Sequence, residues 1–354
     1  MPIRLMVVDD SAFMRKIITD AASQVEGVEV VGIARNGLDA IEAIPRLKPD
    51  IITLDIEMPK LNGIETLKII KKDFGIPVVM LSAYSKAGSD MTMEALNLGA
   101  LDFIEKTNDM SSAGIEHLKS ELEIKLKAAK AVAYSPDKKD GAFRGQEVKA
   151  LEKRESKNHT WEYKNTDAIA IGASTGGPKA LFEIISRLPA NLRIPVFIVQ
   201  HMPKGFTSSF AERLNNECAL EVIEARDDMP IQSGVVYVAP GDFHMTIENN
   251  RIKLDDRPKL HGVRPAVDHM FETAAKKYGR GLLGIILTGM GKDGTAGMAE
   301  IRKSGGFNIA QEAESCVVNG MPKSAQNAGV VDEVLTPMQI VENIKNIVRV
   351  KKWN

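Results

Sequence analysis

Residues 172–178 (GASTGGP) follow an apolar stretch and fit the pattern G-x-S-x-G. In that pattern, small flanking residues allow a sharp strand-to-helix turn that exposes the serine hydroxyl, here that of Ser174, as a nucleophile. The first turn of the following helix would also supply free N–H groups for a developing oxyanion. A glycine-rich loop after a strand can equally bind phosphate or be a plain turn.

Two further side chains could complete a catalytic set with Ser174. His201 ends the next apolar stretch and could take the serine proton, and Asp293 follows the apolar run 285–287 and could orient the imidazole. Taken singly, the histidine could be structural and the aspartate could cap a helix over 294–304. All three residues follow strands of one predicted parallel sheet, so they can meet at its carboxyl edge. The order Ser, His, Asp argues against the α/β-hydrolase fold but leaves the chemistry intact.

A second candidate site lies in the N-terminal half. Asp9 and Asp10 follow the first apolar run, Asp55 the third, Ser82 the fourth and Lys106 the fifth. Crowded carboxylates need a hard cation between them, and Mg²⁺ prefers oxygen ligands. A carboxylate nucleophile, Mg²⁺ and a lysine are what phosphoryl transfer to an aspartate requires.

The acidic residues, Ser82 and Lys106 of the N-terminal half must be positioned by the surrounding strands and helices, which are predicted to alternate along the chain. Strands are predicted at 5–8, 28–34, 51–54, 78–81 and 101–104. Helices are predicted at 12–25, 37–46, 63–73 and 89–97, and a last helix carries an apolar stripe from Ile115 to Ala129. This alternation with short connections predicts a parallel sheet covered by helices on both faces.

The C-terminal half repeats the alternation. Strands are predicted at 168–172, 195–200, 235–239, 282–287, 307–310 and 330–334, with an antiparallel hairpin over 244–247 and 251–254. Helices are predicted at 178–187, 206–216, 266–278, 294–304 and 337–349. The sequence therefore predicts the α/β class with two doubly wound parallel-sheet domains, the first flavodoxin-like and the second Rossmann-like with a β-hairpin excursion.

The predicted domains are 1–125 and 167–354, joined by a linker at 126–166. Residues 127–166 contain ten Lys or Arg and six Asp or Glu with few apolar residues, which is typical of a solvated tether, although a basic binding patch is the alternative.

Composition narrows the classes of function. A net charge of −1 argues against a broad electrostatic grip on nucleic acid or an anionic membrane. The two cysteines, Cys218 and Cys316, make no disulfide framework and suit a reducing compartment. The first residues lack a signal-peptide pattern, and no stretch reaches the ~18 apolar residues of a membrane helix. We therefore expect a cytoplasmic protein without direct membrane insertion.

Four segments resemble the receiver domain of bacterial response regulators: residues 7–11 (VVDDS), 54–59 (LDIEMP), 81–83 (LSA) and 102–106 (DFIEK). The resemblance implies that Asp55 accepts the phosphoryl group and that Asp10, Asp55 and the carbonyl of Glu57 bind Mg²⁺. Asp9 would be an outer-shell acid. The phosphoryl group would be bound by Ser82 and Lys106, and Phe103 would be the aromatic that changes rotamer on activation.

Five segments of the second half resemble the chemotaxis protein-glutamate methylesterase family: residues 171–178 (IGASTGGP), 200–203 (QHMP), 206–214 (FTSSFAERL), 239–241 (APG) and 287–294 (LTGMGKDG). The resemblance implies Ser174 as nucleophile, His201 as general base and acid, and Asp293 as the orienting carboxylate. Backbone N–H groups, with those of Met290 and Thr175 as candidates, would form the oxyanion hole. No cofactor is expected in this domain.

The same resemblance implies a substrate and partners. The enzyme would demethylate glutamate methyl esters on the cytoplasmic helices of chemoreceptors, releasing methanol, and many members also deamidate receptor glutamines. A chemotaxis histidine kinase would be the phosphodonor. We further expect the unphosphorylated receiver to cover the mouth of the esterase site, with charge at Asp55 weakening that contact.

Two rival classes remain open at this stage. The second half could bind DNA or protein without catalysis, although neutral charge and the lack of a helix-turn-helix segment after the linker count against DNA. It could also bind a dinucleotide, but no G-x-G-x-x-G opens its first helix.

Overall fold

The computed structural model describes residues 2–83, 85–106, 112–133 and 165–351. Most of the predicted linker lies outside these ranges, so the domain limits stay predictions.

The N-terminal unit is a five-stranded parallel sheet in the order β2-β1-β3-β4-β5. Along the chain its elements are β1 (Ile3–Val8), α1 (Ala12–Ser23), β2 (Val28–Ala34), α2 (Gly37–Leu47), β3 (Ile51–Asp55), α3 (Gly63–Ile69), β4 (Val78–Ala83), α4 (Lys86–Asn97), β5 (Asp102–Lys106) and α5 (Ser112–Ala133). The predicted third helix ends early because the chain passes into a π-helical turn at Ile70–Phe74.

Side-chain caps explain where several of these helices begin. Ser11, Asn36, Asn62 and Ser85 each accept a backbone N–H from the first turn of the helix that follows. Such caps satisfy donors that have no partner within the helix. The cap at Ser85 starts α4 at Lys86, three residues before the predicted start. The prediction began too late because the residues of the first turn are too polar to show an apolar period.

The C-terminal unit is a seven-stranded parallel sheet in the order β15-β14-β13-β6-β7-β10-β8, with a small antiparallel sheet β11-β12-β9. Its strands are β6 (Ala168–Ala173), β7 (Val196–Gln200), β8 (Glu221–Glu224), β9 (Met229–Pro230), β10 (Val235–Val238), β11 (His244–Glu248), β12 (Arg251–Asp255), β13 (Leu282–Ile286), β14 (Phe307–Gln311) and β15 (Glu333–Leu335). Its helices are α6 (Gly177–Ile185), α7 (Phe206–Glu217), α8 (Val267–Tyr278), α9 (Thr295–Lys303), α10 (Met321–Asn327) and α11 (Pro337–Val350). The predicted fold class, including the hairpin, is confirmed.

Two apolar layers cover the C-terminal sheet. On one face Ile171 and Ile198 pack with α6, α7 and α11. On the other, Phe197 and Val199 pack with α8, α9, α10 and the hairpin. Successive side chains of a strand point to opposite faces, so strands buried on both sides read as continuous apolar runs.

Three short elements were not predicted: β8, β9 and α10. β8 is an edge strand with one partner, so only Val222 of its four residues is buried. α10 has seven residues and no side-chain cap, and Met321 and Ala325 bury it against the rest of the domain. Their structure depends on tertiary packing, which a local pattern does not reveal.

The two units are in direct contact. Helix α4 packs on α7, where Lys86 Nζ lies 2.9 and 2.7 Å from the two carboxylate oxygens of Glu212. Phe103 in β5 stacks on Phe206 at the start of α7, with ring centroids 4.6 Å apart. Lys125 of α5 binds Asp102 Oδ2 at 2.7 Å and reaches Thr175 Oγ1 at 3.5 Å. Thus α4, β5 and α5 of the first unit all touch the second.

Within the described residues, none of the helices combines the length and the apolar composition of a membrane span.

Replacing Leu122 by alanine tests how α5 is held. Leu122 is fully buried against the strands of the first sheet, so Leu122→Ala should lower the free energy of unfolding of this unit by about 2–5 kcal/mol. Urea unfolding followed by hydrogen exchange in peptides of residues 2–106 measures it. Lys127→Ala, at an exposed position of the same helix, should change it by less than about 0.5 kcal/mol. Equal effects of the two variants would contradict this packing.

Candidate active site and acidic cluster

The predicted triad residues follow the three central strands of the C-terminal sheet. Ser174 comes directly after β6, His201 directly after β7, and Asp293 lies in the loop between β13 and α9. These strands are neighbours in the order β13-β6-β7. The chain continues from β6 to β7 on one side and later reaches β13 on the other side, so the direction of the strand order reverses at β6. Such a switch point opens a crevice at the carboxyl ends of the strands, where ligands bind in folds of this type.

Backbone contacts bring the three loops together. Ser174 N donates to Thr288 O at 3.0 Å, and His201 N donates to Ala173 O at 3.1 Å. Gly289 lies so close to the serine that a β-carbon added there would be 2.7 Å from Ser174 Cβ. Any larger residue at position 289 would therefore displace the serine.

Asp293 is a buried carboxylate with four N–H donors. His201 Nε2 lies 2.8 Å from Oδ2, and the backbone N–H groups of Val267 (2.7 Å), Asp268 (3.0 Å) and Gly294 (2.9 Å) complete the set. Burial tends to raise the pKa of Asp293, but the hydrogen bond and charge of His201 and these N–H groups hold it below its ordinary value. The side chain is thus a fixed acceptor for the imidazole.

The helix-cap alternative for Asp293 is wrong in detail. Gly294 is the N-cap of α9 and makes no side-chain cap bond, whereas the Asp293 carboxylate caps α8 through Val267 and Asp268. The residue therefore both anchors a helix and faces the histidine.

Since His201 Nε2 faces Asp293, Nδ1 is the ring nitrogen left for the serine. Among the described residues no hydrogen bond joins the Ser174 hydroxyl to this ring. Catalytic hydrogen bonds are often long before substrate binds, so the geometry is compatible with a base that engages later.

Two N–H groups beside the serine are free to bind an oxyanion. Within the described ranges, the backbone N–H groups of Thr175 and Met290 have no acceptor, although Thr175 is buried. The side chain of Thr288 connects the loop after β13 to two other segments. Its Oγ1 donates to Thr175 O at 3.0 Å and accepts from Val318 N at 2.9 Å. The helix that starts at Gly177 adds its positive end nearby.

Gln200 was missed by sequence reasoning. Its buried side-chain amide donates to Ser174 O at 3.1 Å and to His201 O at 3.0 Å, so one group ties the two catalytic loops. A polar residue at the buried end of an apolar strand, directly before His201, was the available signal.

The N-terminal carboxylates also meet at one sheet edge. One oxygen each of Asp9, Asp10 and Asp55 lie within 4.8 Å of one another. Lys106 Nζ lies 2.7 Å from Asp55 Oδ2 and 2.9 Å from Asp9 Oδ2. Burial raises the pKa of Asp55 to about 6 even though Lys106 opposes it. A set of three hard oxygen donors around one lysine suits a divalent cation such as Mg²⁺.

The other predicted receiver residues surround this cluster. Glu57 N donates to Asp55 Oδ1 at 3.4 Å, and the buried Ser82 hydroxyl donates to Gly88 O at 3.2 Å. Phe103 is buried in the stack with Phe206 instead of lying free at the surface.

Both halves of the chain are similar to known proteins. Residues 169–344 match the family model of the CheB methylesterase, and residues 5–113 match that of the response regulator receiver domain. A Clostridium acetobutylicum protein named protein-glutamate methylesterase/protein-glutamine glutaminase is 43% identical over 349 residues, covering 98% of each chain. A Pyrococcus abyssi protein of the same name is 42% identical over 346 residues, covering 97% of this chain and 92% of its own.

The chain belongs to the CheB methylesterase family.

A crystal structure of the Thermotoga maritima CheB methylesterase catalytic domain is 45% identical, covers 52% of this chain and 99% of that domain, and has a TM-score of 0.50. The CheB methylesterase assignment favours the hydrolase over the two rival classes, because the second domain is matched as well as the receiver.

Replacing Asp293 by asparagine tests the anchor of α8. The amide offers one acceptor oxygen for four donors, so Asp293→Asn should lower the free energy of unfolding of the C-terminal unit by about 1–3 kcal/mol. Urea unfolding read by hydrogen exchange in α8 peptides measures the loss. Asp256→Asn makes the same chemical change at an exposed position and should be neutral. A neutral Asp293→Asn would contradict the anchoring role.

Proposed function

We propose that this chain is a receiver-regulated hydrolase that demethylates glutamate methyl esters on chemoreceptors, releases methanol, and deamidates receptor glutamines. The observation that carries the proposal is the bond between His201 Nε2 and Asp293, formed beside Ser174 at the carboxyl edge of the sheet. The names of the relatives support the same substrate class.

In the first step Ser174 attacks the ester carbonyl. His201 accepts the hydroxyl proton at Nδ1 while Nε2–H keeps its bond to Asp293, so the carboxylate holds the tautomer and stabilises the imidazolium. The backbone N–H groups of Thr175 and Met290 receive the oxyanion. His201 then returns the proton to the leaving methanol.

In the second step water attacks the acyl-serine, again with Nδ1 of His201 as base, and glutamate is released. A glutamine side chain would pass through the same acyl-serine with ammonia as the leaving group. One site therefore serves both the esterase and the deamidase reaction.

The receiver site supports phosphorylation at Asp55. The carboxylates of Asp10 and Asp55 and the carbonyl of Glu57 would hold Mg²⁺, with Asp9 beside them, and the ion when bound neutralises charge on the phosphoryl oxygens. Lys106 already contacts Asp55, and Ser82 would turn from Gly88 O to the phosphoryl group. A chemotaxis histidine kinase is the proposed phosphodonor, in the cytoplasm where receptor helices are accessible.

Contacts between the units support autoinhibition in the unphosphorylated state. Lys125 of α5 reaches the side chain of Thr175, the residue after the nucleophile, and Phe103 lies under Phe206. The same strand β5 carries Phe103 and the phosphoryl-binding Lys106. Phosphorylation that draws Lys106 and turns Phe103 would loosen this contact and open the esterase site.

Ser174→Ala should lower methanol release from methylated receptor by at least about 10³-fold, because the acyl-enzyme can no longer form. Phosphorylation at Asp55, measured with a labelled phosphodonor, should stay unchanged because Ser174 lies in the other unit. Hydrolysis that survives in this variant would end the proposed mechanism.

Charge reversal at Lys86 tests autoinhibition. Glu in place of Lys86 would face Glu212, so Lys86→Glu should raise the unphosphorylated esterase rate by about two- to fivefold, the scale of an exposed ion pair. The double variant with Glu212→Lys restores opposite charges and should return the rate to the original value. If neither Lys86→Glu nor the isolated 160–354 fragment were faster than the unphosphorylated full chain, autoinhibition would be the wrong account.

A further inference from the structure

A second histidine–aspartate pair lies next to the His201–Asp293 pair. Asp268, near the start of α8, is buried, and its Oδ2 lies 3.1 Å from Nε2 of the partly exposed His261. Its other oxygen accepts the N–H of Gly297 in the first turn of α9 at 2.7 Å. The triad mechanism assigns no role to either residue.

The two aspartates are joined through the helices that they cap. Asp293, just before α9, accepts the first N–H groups of α8, and Asp268 of α8 accepts an N–H of α9. One side-chain atom each of His261, Asp268 and Asp293 lie within 4.8 Å of one another. Burial raises the pKa of Asp268, and the adjacent charge of Asp293 adds to the rise. The position of each carboxylate thus depends on the other.

His261 lies in a tight turn whose two central residues have left-handed backbone. Leu260 and Val263 exchange backbone hydrogen bonds at 3.1 and 3.0 Å around a two-residue turn in which His261 has φ +54° and Gly262 φ +81°. Such a turn favours asparagine or glycine at its first central position. Left-handed backbone at a site is a reason to look for a function of the side chain.

We propose that Asp268 is a positioning residue of the esterase site. We further propose that the protonation state of His261 sets the strength of the electrostatic effect of the Asp268 carboxylate on Asp293 and His201. The proposal rests on the proposed function, since it concerns the same imidazole. With His261 neutral, the Asp268 charge adds to that of Asp293 and favours the imidazolium formed when Ser174 loses its proton. With His261 protonated, the Asp268 charge is cancelled. Acid would therefore weaken the base through His261 as well as by protonating His201.

Several other titratable groups lie around Asp268 and Asp293. They are His269 and Glu272 on α8, Glu300 on α9, His244 on β11, and Asp255 and Arg257 at the end of β12. His244 is fixed by bonds of its ring with Pro258 O and Ala266 N, and burial lowers its pKa as it lowers that of His269. None of these groups forms a side-chain hydrogen bond with the Asp268 carboxylate, and within the part of the chain that the structure describes His261 provides that contact.

Two variants of the full chain separate electrostatics from packing. Asp268→Asn keeps an acceptor for Gly297 but removes the charge, and His261→Asn suits the turn but cannot become positive. In ¹³C-histidine spectra of the six histidines, the titration midpoint of His201 should move to lower pH in Asp268→Asn, by about 0.5–1 unit. In His261→Asn it should move to higher pH. The acid limb of kcat/KM for methanol release should shift in the same two directions.

Glu300→Gln is the matched control, because it removes a carboxylate charge from an exposed side chain of the neighbouring helix and should leave the His201 midpoint in place. An unmoved midpoint in Asp268→Asn, with activity lowered equally at every pH, would overturn the proposal and leave Asp268 a structural cap. An unmoved midpoint in His261→Asn would overturn the role of His261, and this variant remains informative if Asp268→Asn does not fold. The spectra need no substrate, so they report on the charge effect even if the esterase proposal fails.

Discussion

The proposed esterase site depends on one buried carboxylate that its hydrogen-bond donors hold in place without substrate. Asp293 binds the His201 ring on one side and the first N–H groups of α8 on the other. A carboxylate with four donors keeps its charge in spite of burial, so it can hold one tautomer of the imidazole and favour its protonated form. Because α8 packs against one face of the sheet and the same carboxylate caps it, the orientation of the His201 ring is tied to the packing of the domain core.

The parallel sheet supplies the rest of the geometry. Three neighbouring strands end at one edge of the sheet. Residues far apart in the chain therefore lie within about two strand spacings of one another at this edge. Gly289 permits the loop after β13, which also carries Met290, to press against Ser174. Gln200 and Thr288 then fix the loop backbones through side-chain bonds. The three residues of the proposed triad are thus positioned by strand ends and by backbone contacts between short loops.

Strand β5 links the two sites. Its last residue, Lys106, binds Asp55, while Phe103 stacks on the catalytic unit and Asp102 pairs with Lys125 beside Thr175. One end of this strand therefore contacts Asp55 and the other end lies in the interface. Lys125 and Asp102 both belong to the first unit, so their buried pair holds the Lys125 ammonium in place towards Thr175 of the second unit.

The sequence by itself determined the fold class and which side chains gather at the two sheet edges. Strand ends are marked where apolar runs stop, and the carboxyl ends of parallel strands share an edge, so Asp9, Asp55 and Lys106, or Ser174 and His201, could be placed together without coordinates. Short elements such as α10 and the edge strand β8 were not predicted from the sequence, because their few residues are held by partners distant in the chain. Only the tertiary structure decided that Asp293 caps α8 and not its own helix, that Gln200 ties two loops, that Asp268 and His261 stand behind the triad, and that Phe103 is covered by Phe206. Each of these depends on how one element packs against another, and no local periodicity encodes that.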